Sequence, residues 1–153
     1  MTKSEISRLI KQGKLKEQVV GIIQVEELLK QSILDLQEAK KTLDVSDSAT
    51  YILAYMAVLK AGRAFLAFKG YRPIDGAQHK TVVETMGLFL GEDFEGLVLH
   101  FETMRRKRNE MTYEAGGLVS HSEAKKAFDD AIMLIKGVLA EVKHSNPQIK
   151  LEF

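Results

Sequence analysis

Hydrophobic positions recur every three or four residues along most of this chain, which is the spacing of helices with one buried face. Strand-like alternation of apolar and polar residues is absent, and only Pro73 and Pro147 interrupt the pattern. Capping signals such as Ser120 with Glu123, together with glycines that follow apolar runs, indicate where helices begin and end. The predicted helices cover about residues 4–12, 16–43, 48–69, 78–90, 94–115 and 121–144.

The predicted helix 48–69 differs from the others because it is apolar on nearly all sides. Between Ala49 and Phe68 its only charged residues are Lys60 and Arg63. A helix of this kind is buried, so we expect it at the centre of the molecule. Because short connections favour antiparallel neighbours, residues 1–153 are expected to form a single all-α domain. Its expected architecture is an antiparallel up-down helical bundle of four major helices plus a short N-terminal helix.

Composition and charge exclude several classes of protein. The chain of 153 residues has a formal net charge of +1 and contains no cysteine. Disulfides, thiol chemistry and thiolate zinc sites are therefore excluded, and a reducing cytoplasm is the expected location. With a net charge near zero, any binding of nucleic acid must come from a local basic patch. The sequence contains no run of about 18 apolar residues, so no membrane span is expected. The charged first residues are unlike a signal peptide.

The predicted helix 94–115 carries one charged residue, Arg108, on its apolar face. The other members of that face are Leu97, Phe101, Met104, Met111 and Ala115. A guanidinium keeps its charge, so burial without a partner costs on the order of several kcal/mol. Three interpretations stay open: an ion pair with a carboxylate such as Glu84, a side chain that reaches water, or a cleft that binds an anion.

Arg105, Arg106 and Lys107 precede Arg108, so four consecutive residues are cationic. One interpretation is a solvated basic face that is balanced by neighbouring glutamates. The other is a patch that binds phosphate groups. Lys60 and Arg63 of the central helix could extend such a patch, although residues of this kind often reach water or meet a carboxylate.

The segment 105–114, with sequence RRKRNEMTYE, resembles the signature helix of HEPN domains. That signature is an arginine, often followed by a polar residue such as Asn, with a histidine four to six residues later. The alanine-rich segment 51–70 and the connection 71–84 are also similar to this family, in its bacterial toxin–antitoxin-like subgroup, and the resemblance covers about residues 16–143. It implies a small helical bundle, often a homodimer. Many members are metal-independent ribonucleases, including toxins, in which the arginine and histidine of two protomers share a cleft.

The chain departs from this signature at one position. Arg108 and Asn109 match it, but Tyr113 stands five residues after Arg108, where the histidine is expected. The resemblance implies that Arg108 binds the scissile phosphate, that Asn109 orients a reacting oxygen or Arg108, and that Tyr113 donates a proton or stacks on a base. A phenol with a pKa of about 10 is a poor base at neutral pH. Tyr113 could equally be a helix-end aromatic residue that packs on a neighbour.

Neither a metal nor another cofactor is expected. The four histidines, which are His79, His100, His121 and His144, show no HxxxH spacing. The functional hypotheses are therefore a metal-independent ribonuclease or toxin acting on RNA, or a non-catalytic module that binds RNA or a nucleotide. A third is a helical partner of a nucleotidyltransferase or antitoxin. No membrane partner is expected in any of them.

Overall fold

The computed structural model describes residues 2–74, 78–113 and 118–152 of the chain. These residues form six α-helices, a short 3-10 helix and two strands, so the all-α class is confirmed at this coarse level. The α-helices are α1 (Thr2–Lys11), α2 (Ile22–Thr42), α3 (Asp47–Lys69), α4 (Gln78–Leu90), α5 (Glu95–Tyr113) and α6 (His121–Ser145). The strands are β1 (Leu15–Glu17) and β2 (Tyr71–Pro73), and the 3-10 helix is Glu92–Phe94.

The apolar helix α3 is the centre of the structure, as its sequence predicted. It contacts α2, α4, α5 and α6, and its buried positions cover more than half of its circumference, while Ile52 and Lys60 lie on the remaining side. Ser46 caps its start by accepting a hydrogen bond from the backbone of Ala49, and Gly70 ends it with a left-handed φ of 94°. Its length and hydropathy would also suit a membrane span, but 61% of that apolar window is buried inside the described structure. A core helix has this same character.

Side-chain contacts fix the relative directions of several helices. The hydroxyls of Thr42 and Thr50 lie 2.8 Å apart, and buried Ser32 donates to the carbonyl of Ala57 at 2.7 Å. These contacts make α2 and α3 antiparallel. His100 at the start of α5 contacts Asp130 on α6. The second half of α5 lies beside the first turn of α6. These two helices are therefore also antiparallel. The four-helix up-down arrangement as a whole stays a prediction.

The helix predicted from residue 16 begins later than expected. Leu15–Glu17 instead form β1, which pairs antiparallel with β2, and α2 starts at Ile22. Val19 and Ile23, which helical spacing would place on the buried face, are 99% and 75% exposed. The reason is that buried Leu15 is held by a strand that lies far away in the sequence. Local spacing carries no signal of such a pairing.

Other helix boundaries agree closely with the sequence. The predicted helix 78–90 is α4, and the capping box of Ser120 and Glu123 starts α6 as expected. The predicted helix 94–115 is divided into the 3-10 turn and α5, so Asp93 lies within that turn instead of capping α5. The side chain of Thr2, the Asp75–Gly76 turn, Ala115 and the Gly116–Gly117 helix end lie outside the described residues.

Candidate anion-binding site around His79

Arg108 is positioned by the apolar face of α5. Phe101 and Met104 on that face are fully buried, whereas Arg108 is partly buried one turn further on. Across the described parts of the chain, no carboxylate pairs with the guanidinium of Arg108. Glu84, one partner considered from the sequence, instead pairs with Arg8 at 3.0 Å. The guanidinium of Arg108 therefore has no ion-pair partner among the described residues.

The basic run 105–108 does not act as one surface, because its members face different neighbours. Arg105 donates to Glu102 at 2.7 Å on the same helix. Arg106 is 72% exposed, and its Nε lies 3.5 Å from Glu102. Lys107 turns towards α6, where its Nζ lies 3.6 Å from a carboxylate oxygen of Glu123. Of these four residues, Arg105 and Arg108 are the ones whose charges act on Tyr55 of α3 and His79 of α4.

A tyrosine–histidine pair lies at that meeting point. The hydroxyl of Tyr55 on α3 is 2.9 Å from Nδ1 of His79, which is in the first turn of α4. Tyr55 is completely buried, and its ring packs on Phe101 with centroids 5.8 Å apart. Burial raises the pKa of Tyr55 to about 12, although the charges of Arg105 and Arg108 oppose that rise. The phenol therefore stays protonated and holds the imidazole in a fixed orientation.

Three arginines influence the charge state of His79. Burial is the largest cause that lowers the pKa of its imidazole, and the positive charges of Arg63, Arg108 and Arg105 lower it further. Arg63 comes from α3 and the other two from α5, so helices distant in sequence bring their charges to one place. We call Tyr55, Arg63, His79, Arg105 and Arg108 the His79 cluster. At neutral pH it combines a neutral imidazole with two arginines that have no described carboxylate partner, Arg63 and Arg108, and with Arg105, which is paired with Glu102.

Arg63 resembles Arg108 in having no carboxylate partner among residues 2–74, 78–113 and 118–152. It also lines a groove with a volume of about 310 Å³ beside the two-stranded sheet. Lys60 behaves differently, because its Nζ lies 2.7 Å from Oδ2 of Asp35 on α2. The buried Oδ2 of Asp35 accepts no hydrogen bond within the described structure, so the contact with Lys60 is an ion pair. Lys60 is therefore committed to α2 and not to the cluster.

The other residues predicted for the site are not joined to the cluster by any described contact. Tyr113 is 78% exposed in the last turn of α5. Asn109 is partly buried and its side chain makes no hydrogen bond with another described residue. His121, considered as a substitute for the missing histidine, lies 2.9 Å from a carboxylate oxygen of Asp47. Of the four histidines, His79 is the one whose pKa is lowered by neighbouring arginines.

Within the described ranges, no group of three histidine, aspartate or glutamate side chains is arranged to hold a metal ion. Comparisons with protein-family models, curated sequences and solved structures gave no match for this chain. The interpretation of the His79 cluster therefore depends on its own chemistry. A signal for it was present in the sequence: a buried tyrosine needs a hydrogen-bond partner, and Tyr55 lies in the most apolar helix.

Proposed function

We propose that this chain is a HEPN-like domain, an up-down helical bundle that binds a phosphate group of RNA at the His79 cluster. The observation that carries the proposal is that Arg63 and Arg108, both partly buried, have no described carboxylate partner and act on the same imidazole. These two guanidiniums beside a neutral imidazole create a positive field that an anion would neutralise, whereas the charge of Arg105 is already balanced by Glu102. Arginine suits this role because its planar donors match phosphate oxygens in pairs.

The arrangement is difficult to explain by stability alone. Cations that share a partly buried site repel one another, and a buried charge without a partner is destabilising. An apolar residue at position 108 would complete the face formed by Phe101, Met104 and Met111. A bound phosphate would offset both the repulsion between the cations and the cost of the unpaired buried charge. This supports the proposal that Arg108 is present to bind an anion.

The test compares Arg108→Met with Arg106→Met, which removes the same charge from the exposed side of the same helix. Affinity for a short single-stranded RNA is measured by fluorescence anisotropy. Hydrogen bonds to charged groups contribute about 1.5–3 kcal/mol, so Arg108→Met should weaken binding roughly 10- to 100-fold. Arg63→Met should act similarly, whereas Arg106→Met should change affinity by less than about threefold, as expected of a screened surface charge. Equal losses in Arg106→Met and Arg108→Met would contradict the proposal.

A metal-independent ribonuclease is the second candidate, and the 2.9 Å contact between Tyr55 and His79 supports it. If Nδ1 of His79 donates its hydrogen to the phenol oxygen, Nε2 is free to accept a proton. It could then take the proton of a ribose 2′-OH while that oxygen attacks the adjacent phosphorus. The bond from phosphorus to the 5′ oxygen breaks, a 2′,3′-cyclic phosphate forms, and the leaving oxygen takes a proton from water. The arginines would stabilise the charge that develops on the phosphate.

In this proposal His79 takes the role that the family resemblance assigns to the position of Tyr113. His79→Gln should reduce cleavage of RNA about 10²- to 10⁴-fold, which is the usual contribution of a general base. His144→Gln is the matched control, because His144 is exposed near the end of α6. If His79→Gln still cleaves RNA while binding depends on Arg108, the phosphate-binding proposal stands and the proposal that His79 is the general base is wrong.

The assembly that the resemblance implies is also a proposal. A homodimer would bring two His79 clusters, or the two α5 helices, to one shared cleft. A nucleotidyltransferase or antitoxin partner would cover the same surface and block RNA. Sedimentation of the wild-type chain with and without RNA would distinguish a dimer from a monomer over the concentrations at which binding is measured.

A further inference from the structure

A groove lies beside the His79 cluster. Arg63 lines this groove, and the other four residues of the cluster do not. The groove lies between the two-stranded sheet, the start of α2 and the second half of α3, and its volume is about 310 Å³. Its lining includes Gln18, Arg63, Ala67, Tyr71, Pro73 and Gln78. This volume is at the lower end of the range of about 300–1,000 Å³ that is usual for small-molecule sites. The groove therefore suits a ligand group of modest size.

One wall of the groove is apolar and firmly held. Tyr71 and Pro73 belong to β2, and their backbones pair with Glu17 and Leu15 of β1. The ring of Tyr71 is stacked on Phe89, with centroids 5.9 Å apart and an interplanar angle of 27°. Aromatic and proline surfaces of this kind accommodate the flat face of a base.

The polar lining of the groove consists of glutamines together with Arg63 and Arg72. The side chains of Gln18 and Gln78 make no hydrogen bond with another residue in the described ranges, although the backbone N–H of Gln18 donates to Gly70 at 2.8 Å. A glutamine amide offers donors and an acceptor on one planar group, which matches the edge of a nucleobase. Gln78 directly precedes His79 in the first turn of α4, and Arg63 of the His79 cluster lines the same groove.

We infer that the groove beside Arg63 binds one nucleobase of the RNA strand whose phosphate lies on the His79 cluster. This inference rests on the proposed function. Arg63 lies at the junction, where it would contact the phosphate that connects the bound nucleoside to the next one. The base lies against Tyr71 and Pro73, and the glutamines contact its edge. The chain thereby selects single-stranded RNA, since only an unpaired base can enter the groove.

The test uses a short labelled RNA and a series of the same RNA in which one position at a time lacks its base. Such an abasic position keeps the phosphate and removes only the group that the groove would hold. For the wild-type chain, one abasic position should weaken binding about 5- to 100-fold, as base stacking does elsewhere. Ala67→Leu extends a side chain into the groove, and Gln78→Ala removes an edge contact without adding volume. Both should weaken binding of the complete RNA and reduce the difference between it and the abasic one.

Gln37→Ala is the control, because Gln37 is an exposed glutamine on another part of α2. It should keep the full preference for the base. Circular dichroism checks that Ala67→Leu folds, and Gln78→Ala gives the same comparison if it does not. An equal affinity of the wild type for complete and abasic RNA would overturn the inference, as would a preference unchanged in Gln78→Ala and in folded Ala67→Leu.

Arg108→Met separates this inference from the function on which it rests. If binding depends on Arg108 but shows no base preference, the phosphate site stands and the base site is wrong. If Arg108→Met binds complete and abasic RNA as tightly as the wild type does, the phosphate site is wrong, and the inference fails with it.

Discussion

Gly62 is a point of close approach between α3 and α4. A Cβ added at this glycine would lie 2.6 Å from Cγ1 of Val82 and 3.5 Å from Sδ of Met86. Carbon atoms in contact normally stay about 3.5–4.0 Å apart, so the overlap with Val82 is roughly 1 Å. Within a helix, alanine is favoured over glycine by about 0.8–1.0 kcal/mol, whereas overpacking a core costs typically about 1–3 kcal/mol. We therefore expect Gly62→Ala to lower the free energy of unfolding by up to about 2 kcal/mol.

A double-mutant cycle with Val82→Ala identifies the cause. Val82 is fully buried, and removal of its two methyl groups should cost roughly 2–3 kcal/mol from lost burial and the cavity left behind. In the double variant the methyl group added at position 62 occupies part of that space. The stability lost by the double variant should therefore be smaller than the sum of the two single losses, by about 1 kcal/mol or more. Urea unfolding of the four proteins measures the cycle. Additive losses, or a Gly62→Ala protein more stable than the wild type, would refute the reasoning about this helix contact.

Three other outcomes can be measured on the same material. The pKa of His79 is lowered in the folded chain from its ordinary value of 6.5, so the unfolded chain binds the proton more readily. Stability should therefore decrease as the pH falls through about 6.5 towards the lowered pKa, and urea titrations of His79→Gln should show a weaker decrease. Tyr113→Phe should leave RNA affinity unchanged within about twofold, because the side chain is exposed and carries no described contact to the cluster; a larger loss would return Tyr113 to the site. The logarithm of RNA affinity should fall with the logarithm of salt concentration with a slope of roughly −1.4 to −3.5, as for two to five single-strand phosphates, and salt-independent binding would indicate another surface.

The fold could be predicted where the determinants are local. The all-round apolar character of α3, the boundaries of α4 and the capping box of α6 all follow from residues close in sequence. The strands β1 and β2 could not be predicted in this way. Each has only three residues, and each pairs with residues that lie far away in the sequence, as Leu15 does with Pro73.

The site shows the same division between local and distant determinants. Arg108 could be singled out from the sequence because it interrupts an apolar face on a single helix. His79 could not be given its role, because its environment comes from α3 and α5 as well as from its own helix. Sequence proximity groups Lys60 with Arg63, but helix geometry turns Lys60 towards Asp35 on α2. Tyr113 is likewise exposed and apart from the cluster. The spacing of residues along one helix could not reveal this.

The charge state of His79 allows binding and catalysis to be distinguished by their dependence on pH. A phosphate that binds beside the three arginines brings negative charge to the imidazole, and this charge should raise the pKa of His79 towards its ordinary range. Binding then takes up a proton, so RNA affinity should increase as the pH is lowered from about 7.5 to about 5.5. Cleavage with His79 as the base requires the neutral imidazole, so its rate in the bound complex should decrease over the same interval. His79→Gln should remove both dependences while it keeps the arginine contacts. Affinity that decreases with acid in the wild type, in parallel with cleavage, would show that the imidazole does not face the bound phosphate.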